Sequence, residues 1–587
     1  MWFSPSPHRS NCQAKQQQRQ RQFDALPSSY NEACTEQDNK ILDLSLSDLA
    51  HAHASSSIST PAILQAYGKK VVAAQQASNC IAAVLIPDIL HSHAPQLSLP
   101  ATTDIDSSQS SPLKENHLLS GVPVSIKDCI DIKGYDTTVG YSSRANKPVT
   151  SSAPIVRLLH DAGALTHVKT TVPPGLLGVE TSSDLFGRTS NPYNSEYSSG
   201  ASTGGGGALL ALKGSMIEIA TDIGGSARLP AHWCGVYGMK SSTGRFPSWG
   251  TVSPLPGLEG VETSCSPMAR RLEDLEEFWK RVVAMRPWEY DHTCIPLSWR
   301  PVNIRGKKLR FGVIWDDGIA PPTPACRRAL QVTIDALQKQ GHDVVDVSPP
   351  SILEGLMIGF QLCFSDGGVD FFNAIYKDEK LDPVLTATKS LLSLPQFLKS
   401  VLARFASDPV QSAMLTSVNT KSPSQERALV VAREEYRAKW REVWENNEWD
   451  FLVCAPHPSP AIPKGTAEKV TLVSCANMMI WNILDYTAGV LPITTVQSTL
   501  DALPSGFLNS SEYAEMGVVG KGVYAVYDAI KMDGLPVGVQ VVGRRLEEEK
   551  VLEGMRVIEE AVRASGISKG RNEGSGMNGV AGKSGNI

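Results

Sequence analysis

Long apolar runs are missing from this 587-residue sequence. No window reaches the roughly 18 consecutive apolar residues that a membrane helix needs. Charge of one sign is missing too. The chain has 55 lysines and arginines against 60 aspartates and glutamates, a net charge of −5, so no basic domain points to a nucleic-acid partner. The 11 cysteines are odd in number and scattered. None forms a C-x-x-C pair or a Cys/His cluster of zinc spacing, which argues for reduced thiols in a reducing, cytoplasmic compartment and against a disulfide framework or a metal site. Met1 to Gln22 carries Arg9, Lys15, Arg19 and Arg21 and no acid, but it has no apolar core of the kind a secretory signal requires. Its Gln16-Gln17-Gln18 run suits a solvated tail. There is no internal repeat. What is present is ordinary: 42% hydrophobic and 20% charged residues exclude a wholly disordered or collagen-like chain and suffice for a large core.

Residues 1–40 read as a polar, mostly disordered arm. Thr60-Pro61 resembles a helix cap followed by proline at the first helical position. Ile63, Leu64, Tyr67, Val71 and Ala74 then recur at three- and four-residue steps, which predicts an amphipathic helix. Residues 95–115, rich in Ser, Thr, Pro and Asp, read as a surface loop. From Gly121 the pattern turns to α/β. Strands are predicted at 122–126, 164–168, 309–315, 344–347, 451–455 and 536–542. Helices are predicted from Ser152-Ala153-Pro154 to Gly163 and at 324–340, 425–446 and 547–564. Strand, helix, strand in succession implies right-handed crossovers and parallel pairs. No linker interrupts the alternation, so one large domain is expected. The Gly/Ser/Asn-rich end, 565–587, reads as a disordered tail.

The most unusual stretch is Ser198 to Arg228. It holds Gly200-Ala201-Ser202-Thr203, the four glycines Gly204 to Gly207, and Thr221-Asp222-Ile223-Gly224-Gly225-Ser226-Ala227-Arg228. Glycine permits tight turns and close approach of a ligand, and consecutive N–H groups can line a concavity for an anion or oxyanion. Four readings compete. A phosphate loop lacks the GK[ST] ending and the G-x-G-x-x-G register. A nucleophile elbow matches Gly200-Ala201-Ser202-Thr203-Gly204, but residues 191–199 before it read as loop where that motif needs a strand. A flexible loop without chemistry fits the composition. The fourth reading needs a base. Lys127 ends the apolar strand Pro123-Val124-Ser125-Ile126. It is either a solvated strand-end charge or, held among apolar residues, an amine whose pKa falls through desolvation. A Ser–Lys pair is an established alternative to Ser–His–Asp.

These residues carry a resemblance. GVPVSIKDCIDIKGYDTTVG (121–140), the long Gly/Ser segment 198–245, NPYNSEYSSG before it and SPMAR after it are similar to the motifs of the amidase signature family. So is GLPVGVQVVGRRLEEEKVLE near the end, and the likeness spans roughly residues 40–565. Lys127, Ser202 and Ser226 stand 75 and 24 residues apart, as in that family. RPWEYDHTCIPLSWRPV and WNILDYTAGVLPITTV look most like fungal acetamidases and general amidases, and more distantly like fatty acid amide hydrolases. The chain departs from the usual GGSSGG at Ala201 and Thr203, and from Lys-Pro-Ser at Lys240-Ser241-Ser242.

The resemblance implies an α/β fold: a single large three-layer α/β/α domain around a mixed, mostly parallel sheet, catalytic over 119–564, behind an N-terminal helical segment (41–118). It implies Ser226 as nucleophile, Ser202 as bridging serine on a cis peptide, and Lys127 as base. Substrate would be held by Ser202 and by the N–H groups of Ile223, Gly224, Gly225 and Ser226. The activity implied is hydrolysis of a linear carboxamide, with no cofactor and no metal. The partner is a small-molecule amide, and a homodimer is left open. Two alternatives are a non-catalytic amidase-like scaffold and an ammonia-donating amidotransferase subunit. Asp222 either fixes the glycine loop or is a turn residue, and Arg228 either pairs with a carboxylate or makes a surface salt bridge. Leu176 and Leu177 either line an acyl pocket or pack the core. Cys129, Cys234, His160, His167 and His232 read as structural.

Overall fold

The computed structural model describes residues 6–93 and 117–566. The sequence reading's loop at 95–115 and nearly all of its 565–587 tail lie outside these residues. Among the described residues, eleven strands form one sheet: β1 (Ile81–Val84), β2 (Pro123–Lys127), β3 (Leu165–Thr170), β4 (Ile217–Asp222), β5 (Tyr237–Lys240), β6 (Ser264–Ala269), β7 (Arg310–Ile314), β8 (Asp343–Asp346), β9 (Phe451–Cys454), β10 (Ala488–Thr495) and β11 (Pro536–Val542). Their spatial order is β1-β3-β2-β4-β6-β5-β10-β11-β9-β7-β8. The strands from β2 to β6, with β9 and β11, are buried along their whole length. That burial is why β2, β3, β9 and β11 read as apolar runs and not as alternating patterns. Helices pack around the sheet, including Gly204–Ala211, Arg228–Cys234, Pro324–Lys339 and Glu548–Ala564.

The large mixed sheet is as expected, but its parallel share is smaller than expected. Parallel pairing is confined to β3-β2-β4 and β9-β7-β8. The centre, β4-β6-β5-β10-β11-β9, is antiparallel throughout, as is the β1–β3 edge. The strand-helix-strand units legible in the sequence are those of the two parallel blocks. β4, β5, β6 and β10 escape the pattern because Gly, Ser, Thr and Pro interrupt their apolar runs.

The expected disordered arm over 1–40 is corrected for residues 6–40. Pro7–Asp24 is an α-helix, capped by Ser6 Oγ accepting from the Arg9 N–H, with proline at its first turn. Its buried face is His8, Cys12 and Lys15, at helical spacing but almost without apolar atoms. Lys15 Nζ lies 2.8 Å from Asp136 Oδ2, both nearly dry. His8 meets Ser142 and Asp184. Arg19 covers the Phe186 ring and donates to the Ile81 carbonyl. A polar face that docks by specific pairing leaves no amphipathic stripe for sequence periodicity to find. Glu36–Asp43 follows, opened by a Thr35/Asp38 capping box. After a further helix, Leu46–Ala54, comes Thr60–Ser78 with Ser59 as its cap, so Thr60 is already helical.

Replacing Asp136 with alanine takes the counter-ion from the buried Lys15 ammonium and the acceptor from the Asn146 N–H. Loss of one partner of a buried pair costs about 3–5 kcal/mol. Asp136→Ala is therefore expected to lower the thermal unfolding midpoint. Adding Lys15→Met should recover part of the loss, which differential scanning calorimetry checks.

Candidate active site

β2 carries Lys127 to the end of a central strand, between β3 and β4. The side chain has no exposure. Its Nζ lies 2.8 Å from Ser202 Oγ, 2.9 Å from Thr221 Oγ1 and 3.1 Å from the Thr221 carbonyl oxygen. Burial holds the Lys127 pKa below that of an ordinary lysine, with Cys129, Asp222, Glu218 and Cys265 acting in the opposite sense. Burial likewise pushes the Glu218 carboxyl up to about 7 against hydrogen bonds from Ser125 and Thr170. At neutral pH the group beneath Lys127 is thus not a full counter-charge.

Ser202 follows a cis Ala201–Ser202 peptide and precedes the helix Gly204–Ala211. The glycine run serves packing. A Cβ on Gly205 would fall 2.5 Å from the Thr171 nitrogen, and one on Gly206 2.5 Å from the Glu218 carboxyl carbon. The missing side chains let this helix press against the ends of β3 and β4 and set Ser202 over Lys127.

Ser226 stands on the turn that leaves β4. Asp222 organises the turn from its centre. Oδ1 accepts from the Gly225 N–H at 2.8 Å, and Oδ2 from the Ala227 N–H at 3.1 Å. The Arg228 guanidinium grips both oxygens, Nη2 to Oδ1 at 2.8 Å and Nε to Oδ2 at 3.0 Å. Arg228 also donates to the Met478 carbonyl, Gln540 Oε1 and Asn482 Oδ1. Both charges are fully buried. Burial alone would raise the Asp222 carboxyl, but Arg228 and the two backbone donors hold it well below the usual carboxylate range. Asp222 thus fixes the loop, and Arg228 pairs with it in the interior. The Ser226 carbonyl accepts from the Thr203 N–H at 3.1 Å, which ties the two serine segments together.

Of the four backbone donors expected for an oxyanion, Gly225 is corrected: its N–H is spent on Asp222. Among the described residues, no protein group accepts from the N–H of Ile223, Gly224 or Ser226. Ser202 and Ser226 open together into a cavity walled by Leu176, Leu177, Ile223, Val252, Phe364 and Phe371, with no charged side chain among the described residues of its lining. Leu176 and Leu177 are therefore cavity residues.

The remaining candidates are structural. Cys129 and Cys234 are buried thiols whose pKa burial pushes up, the reverse of an activated nucleophile. His160 meets Thr166, and His167 the carbonyls of Val124 and Gly214. His232 accepts from the Gly538 N–H, and burial lowers its pKa to about 3. In the Lys240-Ser241-Ser242 segment, Lys240 donates to the carbonyls of Ser241 and Tyr486, and Ser241 to that of Cys265. Among the described residues, no group of three or more His, Cys, Asp or Glu could hold a metal ion. Sequence reasoning missed Thr221, Asn482 and Gln540. Thr221 was within reach, since it continues the Ile217, Ile219 alternation of β4 to the strand end beside Lys127. The other two lie more than 250 residues away and carry no local signal.

A family profile described as Amidase matches residues 62–552. The chain is 31% identical over 520 residues to an acetamidase of Aspergillus oryzae, covering 87% of this chain and 88% of that one. It is 34% identical over 449 residues to fatty-acid amide hydrolase 1 of Sus scrofa, covering 75% and 76%. A solved fatty acid amide hydrolase superposes with a TM-score of 0.79 at 23% identity, over 94% of this chain and 95% of that one, a likeness that speaks to the fold.

Arg228→Met leaves Asp222 charged, dry and without its counter-ion. A loss of about 3–5 kcal/mol is expected. The sign with pH follows from the depressed Asp222 pKa. Its stabilisation is complete above the ordinary carboxylate range and is lost only as pH falls below it. Without Arg228 the carboxyl takes up its proton earlier, so acid unfolding followed by tryptophan fluorescence should begin at higher pH than in the unmodified protein.

Proposed function

The chain belongs to the amidase family, and from that premise we propose that it cleaves a linear carboxamide with a neutral, apolar acyl group by way of an acyl-enzyme on Ser226. That it is an amidase follows from the family; the relay and the substrate class are the proposal. The observation that carries the relay is the dry Lys127 amine 2.8 Å from Ser202 Oγ. A serine hydroxyl is a weak nucleophile until an adjacent group takes its proton. Uncharged Lys127 accepts the Ser202 proton while Ser202 accepts that of Ser226, and Ser226 Oγ bonds to the amide carbon. The N–H groups of Ile223, Gly224 and Ser226 are available to the oxyanion, and one such donor is commonly worth about 3–4 kcal/mol of transition state. Collapse of the adduct breaks the C–N bond, and the proton returns through Ser202 to the departing ammonia or amine. Water then repeats the sequence on the ester, regenerating Ser226 and releasing the carboxylate.

The uncharged lining supports a neutral acyl group, because an ionised one would be desolvated there without a partner. The names of the relatives, acetamidase and fatty-acid amide hydrolase, bracket short and long acyl chains. The intact Lys127, Ser202 and Ser226 set weighs against a non-catalytic scaffold. An amidotransferase subunit has no supporting observation.

A fluorophosphonate is expected to label the native protein and not Ser226→Ala. That variant should also lose more than about a thousandfold in turnover with an unchanged melting profile; retained turnover would refute the nucleophile. Activity should fall as pH drops through the lowered Lys127 pKa, because the amine must be uncharged to accept a proton. Among amides of equal size, those with a charged acyl group should be hydrolysed far more slowly than neutral ones, as an ammonia-release assay would read.

A further inference from the structure

Three oxygens surround Lys127 Nζ, and two of them belong to one residue. Thr221 presents both its hydroxyl, at 2.9 Å, and its carbonyl, at 3.1 Å; Ser202 Oγ is the third, at 2.8 Å. An uncharged amine has two N–H donors and one lone pair, while an ammonium has three donors and none. A carbonyl oxygen can only accept, so one N–H is committed to it in either state. The Thr221 hydroxyl has its own outlet, Cys129 Sγ at 3.5 Å. It can therefore donate there and accept the second N–H. The lone pair is then left facing Ser202.

We infer that Thr221 is a positioning residue: by engaging two N–H groups of Lys127 through its hydroxyl and carbonyl, it restricts proton exchange at the amine to the single direction of Ser202. Thr221 need not touch the reacting atoms for this. It acts through Lys127, and the inference rests on the reading of Lys127 as base. In the relay, Ser202 Oγ–H transfers its proton to the lone pair, and that proton becomes the third N–H of the ammonium, still aimed at Ser202 Oγ. The other two N–H bonds do not change partner, so the amine need not turn between accepting and returning the proton. Nothing is oxidised or reduced, and the charge gained by Lys127 matches that formed on the tetrahedral adduct. The groups that bear electrostatically on the amine are Asp222 and Glu218 from β4, Cys265 from β6 and Cys129 from its own loop. None of them reaches Nζ as a hydrogen-bond partner; besides Ser202, only Thr221 does among the described residues.

The test compares Thr221→Val, Thr221→Ser and Lys127→Met in full-length protein, by pH–rate profiles over a short-chain carboxamide and by titration of active sites with a fluorophosphonate. Thr221→Val keeps the shape but removes the hydroxyl acceptor, freeing the amine to turn. Per active site, kcat should fall by about 10- to 100-fold, the cost of a misaligned reacting group, with KM little changed. The acid limb should move to lower pH by about one unit, since the lost acceptor bonds an ammonium more strongly than an amine. Thr221→Ser should restore most of the rate and the position of the limb. If Thr221→Val does not fold, Thr221→Ala is read in the same way. A Thr221→Val enzyme with native kcat and an unmoved limb overturns the inference. So does a rate loss that only tracks the fraction of folded sites. Should Lys127→Met stay active, the base assignment itself falls. An inactive Lys127→Met beside an unaffected Thr221→Val leaves that assignment standing and removes only the role of Thr221.

Discussion

Lys127 is fully buried, and the proposed relay depends on that. A lysine in solvent is an ammonium at neutral pH and can accept nothing. Seated at the end of β2 with no exposure, its charged form loses hydration that no adjacent carboxylate replaces. Asp222, the nearest strong anion in sequence to Ser226, is saturated by Arg228 and two backbone donors. Glu218, on the neighbouring strand, has its charge suppressed by burial. Had either carboxylate faced Nζ directly, the ammonium would be stabilised and the base that the proposed relay needs would be lost. The sheet thus does two things with one placement: it dries the amine and turns the available negative charges toward other partners.

Asp222 and Arg228 then explain why the site needs the whole chain. The loop from Ile223 to Ala227 has glycines where a rigid turn would want larger side chains. Its shape comes from outside, from a carboxylate at its centre held by a guanidinium that reaches Asn482 and Gln540. Those partners belong to a helix and to β11, far along the sequence. A buried pair of this kind is weak evidence for stability, since apolar residues of similar volume often do as well. Its contribution is geometric. It leaves the N–H groups of Ile223, Gly224 and Ser226 uncommitted among the described residues while satisfying those of Gly225 and Ala227, and Ser226 lines the cavity beside Ser202.

Much of the flanking architecture was legible in the sequence. β2, β3, β7, β8, β9 and β11 are short apolar runs separated by helical periodicity, and each was predicted within a residue or two. β4, β5, β6 and β10 were not, because strands that cradle a site carry Gly, Ser, Thr and Pro where chemistry and close packing need them. The N-terminal helix escaped for a different reason: His8 and Lys15 bury themselves by pairing, which composition scores as polar and therefore exposed. At the site, residue chemistry alone left the Ser198–Arg228 stretch between loop, elbow and relay. The motif likeness singled out Lys127, Ser202 and Ser226. The glycines were misjudged in part. Gly225 read as an oxyanion donor but serves Asp222, and Gly205 and Gly206, whose role the residues left open, are contact points between a helix and strand ends.

The departures from the usual Gly-Gly-Ser-Ser-Gly-Gly segment show which atoms of that motif matter here. At 203 the chain has threonine for serine. Its hydroxyl is buried without a hydrogen-bond partner among the described residues, whereas its backbone N–H donates to the Ser226 carbonyl. The position is therefore used through its main chain, which serine and threonine share, and the added methyl occupies interior space. At 201 alanine replaces glycine. The adjoining Gly200 keeps the positive φ of +84° that the turn demands, so that requirement falls one residue earlier, and Ala201 is itself almost fully buried. Neither change touches the side chain of Ser202, which in the proposed relay must offer both a proton and a lone pair. On the proposed relay, substitution is expected to be tolerated where the backbone does the bonding and resisted at the Ser202 hydroxyl, which Lys127 Nζ meets at 2.8 Å.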